Sequence, residues 1–275
     1  MKRTVYAAVL LSLFMNCGAQ QVNFPFSQVY TGIGTYGKSA VDAFSFTRNQ
    51  AALAGVKQTT AGIYSERVFM LKELSVHYGA LAVPFKKGAL GWQARYSGNP
   101  HVQYLQTGIG YGRSLSPALD LGIEVSYSSI RIPGYISSSS FNAGAGIILH
   151  MTDDLFAGVA VSEIGTGIFK AANKLLPAAK FTMGIGYEPS ERLLVQCDVL
   201  KQGGEPPTLI SGVQYSIQQQ AFLRAAIVTA SGAFIAGAGM IWKNIRTDIS
   251  ASYHARLGLT PGILITFTSF NRQIP

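Results

Sequence analysis

The sequence contains little charge and no long apolar run. Only 13% of its 275 residues are charged, against about 25% in ordinary soluble domains. No segment approaches the roughly 18 consecutive apolar residues of a membrane-spanning helix, which excludes a helical membrane bundle. Disorder is excluded too, because disordered chains combine low hydrophobicity with high net charge, and 48% of this chain is hydrophobic. The apolar residues must therefore be distributed over many short segments.

Cysteine is equally scarce, and one of the two cysteines lies in a predicted leader. Lys2 and Arg3 precede an apolar stretch and two small residues, a pattern that predicts a cleavable signal peptide over residues 1–19. Lipidation at Cys17 is a weaker alternative, because the residues around it fit a lipobox poorly. Cleavage leaves Cys197 alone, which excludes an intramolecular disulfide and a CxxC metal site. We expect an exported protein of the Gram-negative outer membrane.

From residue 59 onward, segments of about ten residues alternate between apolar residues and glycine or polar residues. Residues 119–127 show the pattern most clearly, with large apolar side chains at odd positions only. Alternation predicts strands with two different faces, and ten residues suffice for a tilted strand to cross a membrane. The predicted strands are 59–66, 73–84, 88–98, 102–115, 118–131, 140–151, 154–162, 178–189, 191–201, 208–217, 219–229, 232–243, 245–255 and 261–270.

The connections between these segments alternate in length. Tight connections such as residues 116–117 and 152–153 follow every second strand, while the others include 132–139 and 163–177. Outer-membrane barrels have short periplasmic turns and longer external loops. We therefore predict an all-β fold, a 14-stranded antiparallel transmembrane β-barrel over residues 56–275, with both termini periplasmic. A soluble β-sandwich is the alternative, because its strands alternate as well.

Residues 20–55 precede the barrel, and their last part carries a short motif. Asn49 to Gly55 resembles the run Asn-Pro-Ala-x-Leu-Ala that ends the N-terminal plug of FadL-type outer-membrane proteins, a superfamily that includes the PorV and PorQ branches of type IX secretion. Gln50 stands where the family has proline. The matching residues of this plug motif are Asn49, Ala51, Leu53 and Ala54.

The resemblance implies two functions of different classes. A small barrel with short external loops is similar to the PorV and PorQ branch, which implies a non-enzymatic accessory subunit of a protein secretion or surface-assembly machine. The alternative is a FadL-like passive channel for hydrophobic small molecules. Expected partners are outer-membrane lipids and other outer-membrane or secretion-machine proteins, or lipophilic small molecules in the second case. Nucleic acid is not expected, because the basic residues form no run.

The stretch Gly32 to Ser39 satisfies both the Walker A and the GxGxxG patterns. A phosphate loop requires a buried strand before it and a helix after it, and the residues that precede Gly32 do not form such a strand pattern. We interpret the stretch as a glycine-rich part of the plug. The four histidines lack metal-ligand spacing, and no catalytic constellation can be identified. We therefore expect no enzyme, no cofactor and no metal.

Two further groups of residues are candidate sites. Charged residues at lumen-facing positions either pair across the lumen or anchor the plug through Lys38, Asp42 or Arg48, because buried charges need partners. Apolar residues at helical spacing between strands seven and eight predict either a lid or a partner-docking loop. The lumen polar set is Arg95, Glu124, Asp198, Arg224, Arg246 and Asp248, with Glu188 beside it. The loop residues are Ile168, Phe169, Leu175 and Leu176.

Overall fold

The alternating segments pair in sequence order and close into a barrel of fourteen antiparallel strands in the computed structural model. The structure describes residues 26–165, 178–218 and 220–269. Each strand pairs with its neighbours along the chain, and β1 pairs with β14 to close the wall, with Ile63 opposite Ile265. The strands are β1 Thr60–Arg67, β2 Ser75–Phe85, β3 Gly88–Gly98, β4 Gln103–Ser116, β5 Leu119–Ile132, β6 Ile136–His150, β7 Leu155–Gly165, β8 Lys180–Ser190, β9 Leu193–Gln202, β10 Thr208–Gln218, β11 Ala221–Val228, β12 Ala233–Trp242, β13 Ile245–His254 and β14 Gly258–Thr268.

The two faces of the wall differ as the alternation predicts. On β5, the side chains of Ile123 and Val125 are each 61% exposed, whereas Glu124 and Ser126, which alternate with them, are buried. The same pattern gives the outer surface a continuous band of large apolar residues, which is typical of a barrel that faces lipid. The predicted fold class is confirmed, and the soluble sandwich is excluded by closure of the wall.

The strand limits agree with the prediction to within two residues, except at the long-loop ends of three strands. β7 extends to Gly165 rather than ending at residue 162. β6 begins at Ile136 rather than at residue 140, because the serines from Ser137 onward pair with the end of β5. Serine runs resemble loops in a sequence, but here antiparallel partners satisfy their backbone groups. β14 begins at Gly258 and passes through Pro261, which was predicted to be the first strand residue.

The connections alternate in length around the barrel. Five of the six connections on one side have two residues, and the sixth is 151–154. We call this side the short-turn end, and both ends of the barrel sequence lie there. The opposite side, the long-loop end, carries the connections 68–74, 99–102, 133–135, 166–179, 203–207, 229–232 and 255–257. Assignment of the short-turn end to the periplasm stays a prediction.

Residues 26–59, which we call the N-terminal segment, pack against the inner face of the wall. The segment contains helix α1 (Phe26–Thr31) and two short 3-10 helices, Ser45–Thr47 and Gln50–Gly55. Most of its described side chains are buried, including Tyr36, Phe44 and Leu53 at 0% exposure. Of the helices in the described part of the chain, none has the length and apolar character needed to cross a membrane.

Candidate functional site: the lumen and its N-terminal segment

A patch of inward-facing glycines on β3 to β8 receives the N-terminal segment. A Cβ atom added at Gly112 would lie 2.5 Å from Leu53 Cβ, and one at Gly91 would lie 2.8 Å from Leu53 Cδ2. At Gly122 and Gly146 an added Cβ would overlap Gln50 and Asn49 themselves. Because the wall carries no side chain at these positions, the backbone of the segment can approach the strands closely.

Asn49 connects the segment to the wall and begins its second 3-10 helix. Its Oδ1 accepts a hydrogen bond from the backbone N–H of Ala51 at 3.0 Å, which satisfies a donor at the helix start. Its Nδ2 donates to the carbonyl oxygens of Ile147 on β6 and Val159 on β7, at 3.1 and 3.3 Å. An asparagine fits this position because only a side chain with both an acceptor and two donors makes all three bonds.

Gln50, the residue that departs from the family motif, has a polar partner of its own. Its Nε2 donates to Glu124 Oε2 at 3.2 Å, and Gln93 Nε2 donates to the other oxygen of the same carboxylate. Proline has no side-chain donor. The substitution therefore gives the segment a direct bond to the buried Glu124 carboxylate on β5.

Ion pairs attach the segment to the opposite side of the wall. Arg246 Nη1 on β13 lies 3.2 Å from Asp42 Oδ2, and the same guanidinium binds Asp248 on its own strand. Arg48 Nε lies 3.7 Å from Asp198 Oδ2 on β9. All five side chains are at least 86% buried. Buried charges are tolerated when they are paired, so these pairs fix the segment at two points.

Tyr30 of helix α1 joins this charged group. Its hydroxyl donates to Asp248 Oδ2 at 3.3 Å, and its carbonyl oxygen accepts from Arg224 Nη1 at 3.4 Å. Burial raises the pKa of the Tyr30 phenol well above its ordinary value, so the phenol keeps the proton that it donates.

The Walker-like stretch has no open phosphate cradle. The backbone N–H groups of Lys38 and Ser39 donate to the Glu188 carboxylate on β8, at 2.5 and 3.2 Å. The N–H of Gly34 donates to Gln196 Oε1 at 3.2 Å, and Gln196 Nε2 donates back to the carbonyl oxygen of Gly32 at 3.1 Å. The amides that a phosphate would need therefore bind side chains of the wall.

The inner wall is divided into an apolar and a polar side. On β9 to β12 the buried apolar residues near the long-loop ends of the strands belong to one cluster with Val29, Tyr30 and Ile33 of the segment. We call the members of this cluster on β9 to β12 the apolar wall: Leu200, Ile210, Ala226, Val228, Ala233 and Ile235. Nearer the short-turn end, the same strands carry the buried polar residues Gln196, Asp198 and Arg224. On β3 to β8 the corresponding positions form the polar wall: Gln93, Gln106, Ser126, Ser128, Ser140, Asn142 and Lys180.

The polar wall is packed and internally hydrogen-bonded. Tyr78 donates to Gln93 at 2.6 Å, and Asn142 donates to Ser128 at 3.1 Å. A cavity between Glu124 and Lys180 measures about 10 Å³, which is space for about one water molecule. A polar lining of this kind does not form a wide aqueous channel.

The loop between β1 and β2 covers part of the apolar cluster at the long-loop end of the barrel. Phe69 in the connection between β1 and β2 packs against the cluster, and its backbone N–H donates to the inward-facing Thr260 at 2.9 Å. Its ring meets His254 edge to face at 6.1 Å. Phe69 and Met70 both have left-handed backbone angles, φ 53° and 62°. This conformation costs about 1–3 kcal/mol per residue, and residues of this kind cluster at active sites, ligand clamps and switch regions.

Most of the predicted site residues lie on the inside of the barrel, and the others fall outside the described ranges. Ala51 and Leu53 are buried against the glycine patch, with Ala54 at its edge. The lumen polar set lies on the inner face, with Arg95 5.4 Å from the ring of Tyr104. The loop residues Ile168, Phe169, Leu175 and Leu176 lie outside the described residues, as do Cys17 and the rest of the predicted signal peptide. In the described ranges, no three histidine, cysteine or acidic side chains form a group that could hold a metal.

Sequence reasoning missed several residues of the site. Tyr30 and Tyr36 are buried in the segment, and their only indication in the sequence is that Tyr30 precedes a glycine-rich stretch and Tyr36 lies within it. Gln196 could have been found, because it occupies an inward position in the alternation of β9. The sequence does not predict the position of Phe69, since none of its neighbours along the chain indicates a left-handed backbone.

Comparison with known proteins relates the chain to others by fold. No protein-family model matches the sequence, and no curated protein matches it significantly. The monoaromatic hydrocarbon channel CymD aligns with a TM-score of 0.62 and 12% identity, over 87% of this chain and 99% of that one. The toluene transporter TbuX of Ralstonia pickettii aligns with a TM-score of 0.61 and 11% identity, over 86% and 97%.

A FadL homologue of Pseudomonas aeruginosa aligns with a TM-score of 0.56 and 14% identity, over 86% of this chain and 96% of that one. None of these three structures is a secretion-machine component, so the expected PorV or PorQ branch finds no support in them. Identities this low establish the fold alone. The chain is a closed 14-stranded barrel similar in fold to FadL-type outer-membrane channels.

Proposed function

We propose that this protein is an integral outer-membrane barrel that acts as a passive channel for hydrophobic small molecules. The apolar wall carries the proposal. Water-filled barrels have a polar interior, whereas here Leu200, Ile210, Val228 and Ile235 make the inner face of β9 to β12 apolar in the half nearer the long loops. An apolar solute that moves along this face stays in contact with apolar side chains. It therefore avoids the free-energy cost of exposing its own apolar surface to water.

The comparisons support the same class of solute. The similar structures include a monoaromatic hydrocarbon channel and a toluene transporter. We extend to this chain only the general class of solute, hydrophobic small molecules.

The N-terminal segment gives the channel a closed state. Val29, Tyr30 and Ile33 cover the apolar wall, so passage requires that helix α1 or its neighbours move. Phe69 covers the same cluster from the long-loop end. In this account the segment acts as a plug, and the apolar wall becomes a path when the segment is displaced.

An accessory role in a secretion or surface-assembly machine is the second candidate. One observation favours it: Met70, Leu71 and Leu74 are exposed in a single long loop, and exposed apolar groups can mark protein contacts. The similar structures give this role no support. A mild-detergent pull-down from native membranes that recovers a stoichiometric partner would favour this candidate over the channel.

The channel is tested in a Gram-negative strain that expresses the barrel, with the fluorescent hydrophobic probe N-phenylnaphthylamine. We expect the barrel to accelerate probe uptake relative to an empty vector, because the probe needs an apolar path across the outer membrane. Hydrolysis of the hydrophilic substrate nitrocefin by a periplasmic β-lactamase measures general leakage and should stay unchanged. Equal rates of N-phenylnaphthylamine uptake with and without the barrel would contradict the proposal.

A further inference from the structure

A groove of about 330 Å³ lies on the outer surface of the wall at β1 to β4 and β14. Its floor is formed where Gly79 pairs with Ala94, since neither residue projects a large side chain. Ile63 and Ile265 line one side, and Leu105 lies on the other. The groove is continuous with the apolar band of the barrel, so it faces lipid hydrocarbon.

The groove ends in polar groups towards the long-loop end. Ser65 and His77 are opposite each other on β1 and β2, and Ser65 Oγ lies 3.0 Å from His77 Nδ1. Either group can donate in this bond; in the tautomer that accepts from the Ser65 hydroxyl at Nδ1, the ring proton lies on Nε2, which is then a donor. Arg67 is exposed on the same face of β1, two residues beyond Ser65, a distance of about 7 Å.

Polar groups on the lipid-facing side of a wall are costly unless they have polar partners. Here the donor His77 and the cation Arg67 lie one after the other at the end of an apolar groove, near the last residues of β1. This order matches a lipid that has an acyl chain attached to a phosphate: the chain is apolar, and the phosphate accepts hydrogen bonds and is negatively charged.

We propose that this outer groove is a binding site for one acyl lipid that carries a phosphate. The acyl chain lies over Gly79 and Ala94, and the phosphate accepts a hydrogen bond from His77 and faces Arg67. The site is independent of the proposed channel, because it lies on the outside of the wall and involves no part of the N-terminal segment. A barrel that transports nothing could still bind this lipid.

Trp92 makes the site measurable. A Cβ added at Gly79 would lie 3.9 Å from Trp92 Cζ3, so this indole borders the groove floor. The chain has one other tryptophan, Trp242 on β12, which is 72% exposed. Trp242→Phe and Trp92→Phe variants therefore give single reporters, one at the groove and one away from it.

The experiment titrates brominated phosphatidylglycerol into barrel in detergent micelles and follows tryptophan quenching. We expect saturable quenching of Trp92 at a low lipid fraction, and quenching of Trp242 that only follows the lipid fraction of the micelle. Diacylglycerol, which lacks the phosphate, should not compete. His77→Ala should weaken binding about tenfold, the loss expected for one hydrogen bond to a charged group.

Gly79→Leu fills the groove, since a Cβ at this position has no neighbour closer than 3.9 Å, and should abolish the saturable phase. Ala236→Leu adds the same side chain at an outward-facing position on β12 and should leave it intact. Heat-modifiability on gels checks that each variant folds, and mass spectrometry of the intact protein counts retained lipid independently of Trp92. Equal quenching of the two tryptophans, a saturable phase that survives Gly79→Leu, or competition by diacylglycerol would overturn the proposal.

Discussion

Arg246 on β13 binds Asp42 of the N-terminal segment, with Nη1 and Oδ2 3.2 Å apart, although 204 positions separate the two residues in the sequence. The same guanidinium binds Asp248. One cation therefore pairs with two buried carboxylates and joins the segment to the wall.

Removal of this cation should release the segment before it unfolds the barrel. Arg246→Met leaves Asp42 and Asp248 without their shared partner, which we expect to cost about 3–5 kcal/mol. Limited proteolysis of the folded barrel should then cleave the segment, while heat-modifiability persists. Arg256→Met, in an exposed loop, is the control. Protection of the segment in Arg246→Met equal to that in the wild type would show that the pair does not hold it.

The glycine patch makes a second prediction about the segment. Gly146→Val places a side chain where Asn49 now lies, and we expect overlap worth about 1–3 kcal/mol to displace the segment. Single-channel conductance in planar bilayers should rise relative to the wild type. Gly204→Val is the control, because nothing lies within 4 Å of a Cβ at that position. Unchanged conductance in Gly146→Val would contradict this role of the patch.

Glu188, rather than a nucleotide, should hold the Walker-like stretch. Its carboxylate accepts from the backbone amides of Lys38 and Ser39, so we expect wild-type barrel to show no saturable binding of Mg-ATP in calorimetry. Lys38→Ala removes only an exposed side chain and should leave protease protection of the segment unchanged. Glu188→Ala should reduce that protection. Micromolar ATP binding that disappears in Lys38→Ala would refute the assignment.

Most of the barrel could be predicted from the sequence, whereas most of its interior could not. Lipid outside and packed residues inside impose a period of two on every strand, so the alternation on β5 alone predicts that Ile123 faces out and Glu124 faces in. The contacts of the segment follow no such period. Glu188 lies 149 positions from Ser39, and a pairing of this kind depends on how the closed wall brings distant strands around the segment.

The orientation of the barrel can be tested by labelling from outside intact cells. In a Cys197→Ser background, a cysteine that replaces Tyr135 at the long-loop end should react with a membrane-impermeant maleimide. A cysteine that replaces Lys87 at the short-turn end should not. The reverse pattern would place the long loops in the periplasm and overturn the predicted topology.

Lipid exposure of the outer face predicts a specific cost. Ile123 is 61% exposed near the middle of β5, and Ile123→Arg should lower the free energy of unfolding by about 2–4 kcal/mol. Tyr135→Arg, at a loop tip that is 88% exposed, should change it little. Urea titrations of barrel refolded in lipid vesicles measure both. Equal effects of the two substitutions would contradict the prediction that Ile123 faces the lipid bilayer.

The channel account is tested most directly by changing the polarity of one wall at a time. Ile235→Asn places an amide on the apolar wall, where an unpaired polar group costs about 1–3 kcal/mol, and Ser126→Asn adds the same amide to the polar wall. The measurement is the initial rate of N-phenylnaphthylamine uptake in cells with equal amounts of folded barrel. The account predicts that Ile235→Asn slows uptake severalfold and that Ser126→Asn leaves it near the wild-type rate. Equal rates in the two variants, or a slower rate in Ser126→Asn, would contradict passage along the apolar wall.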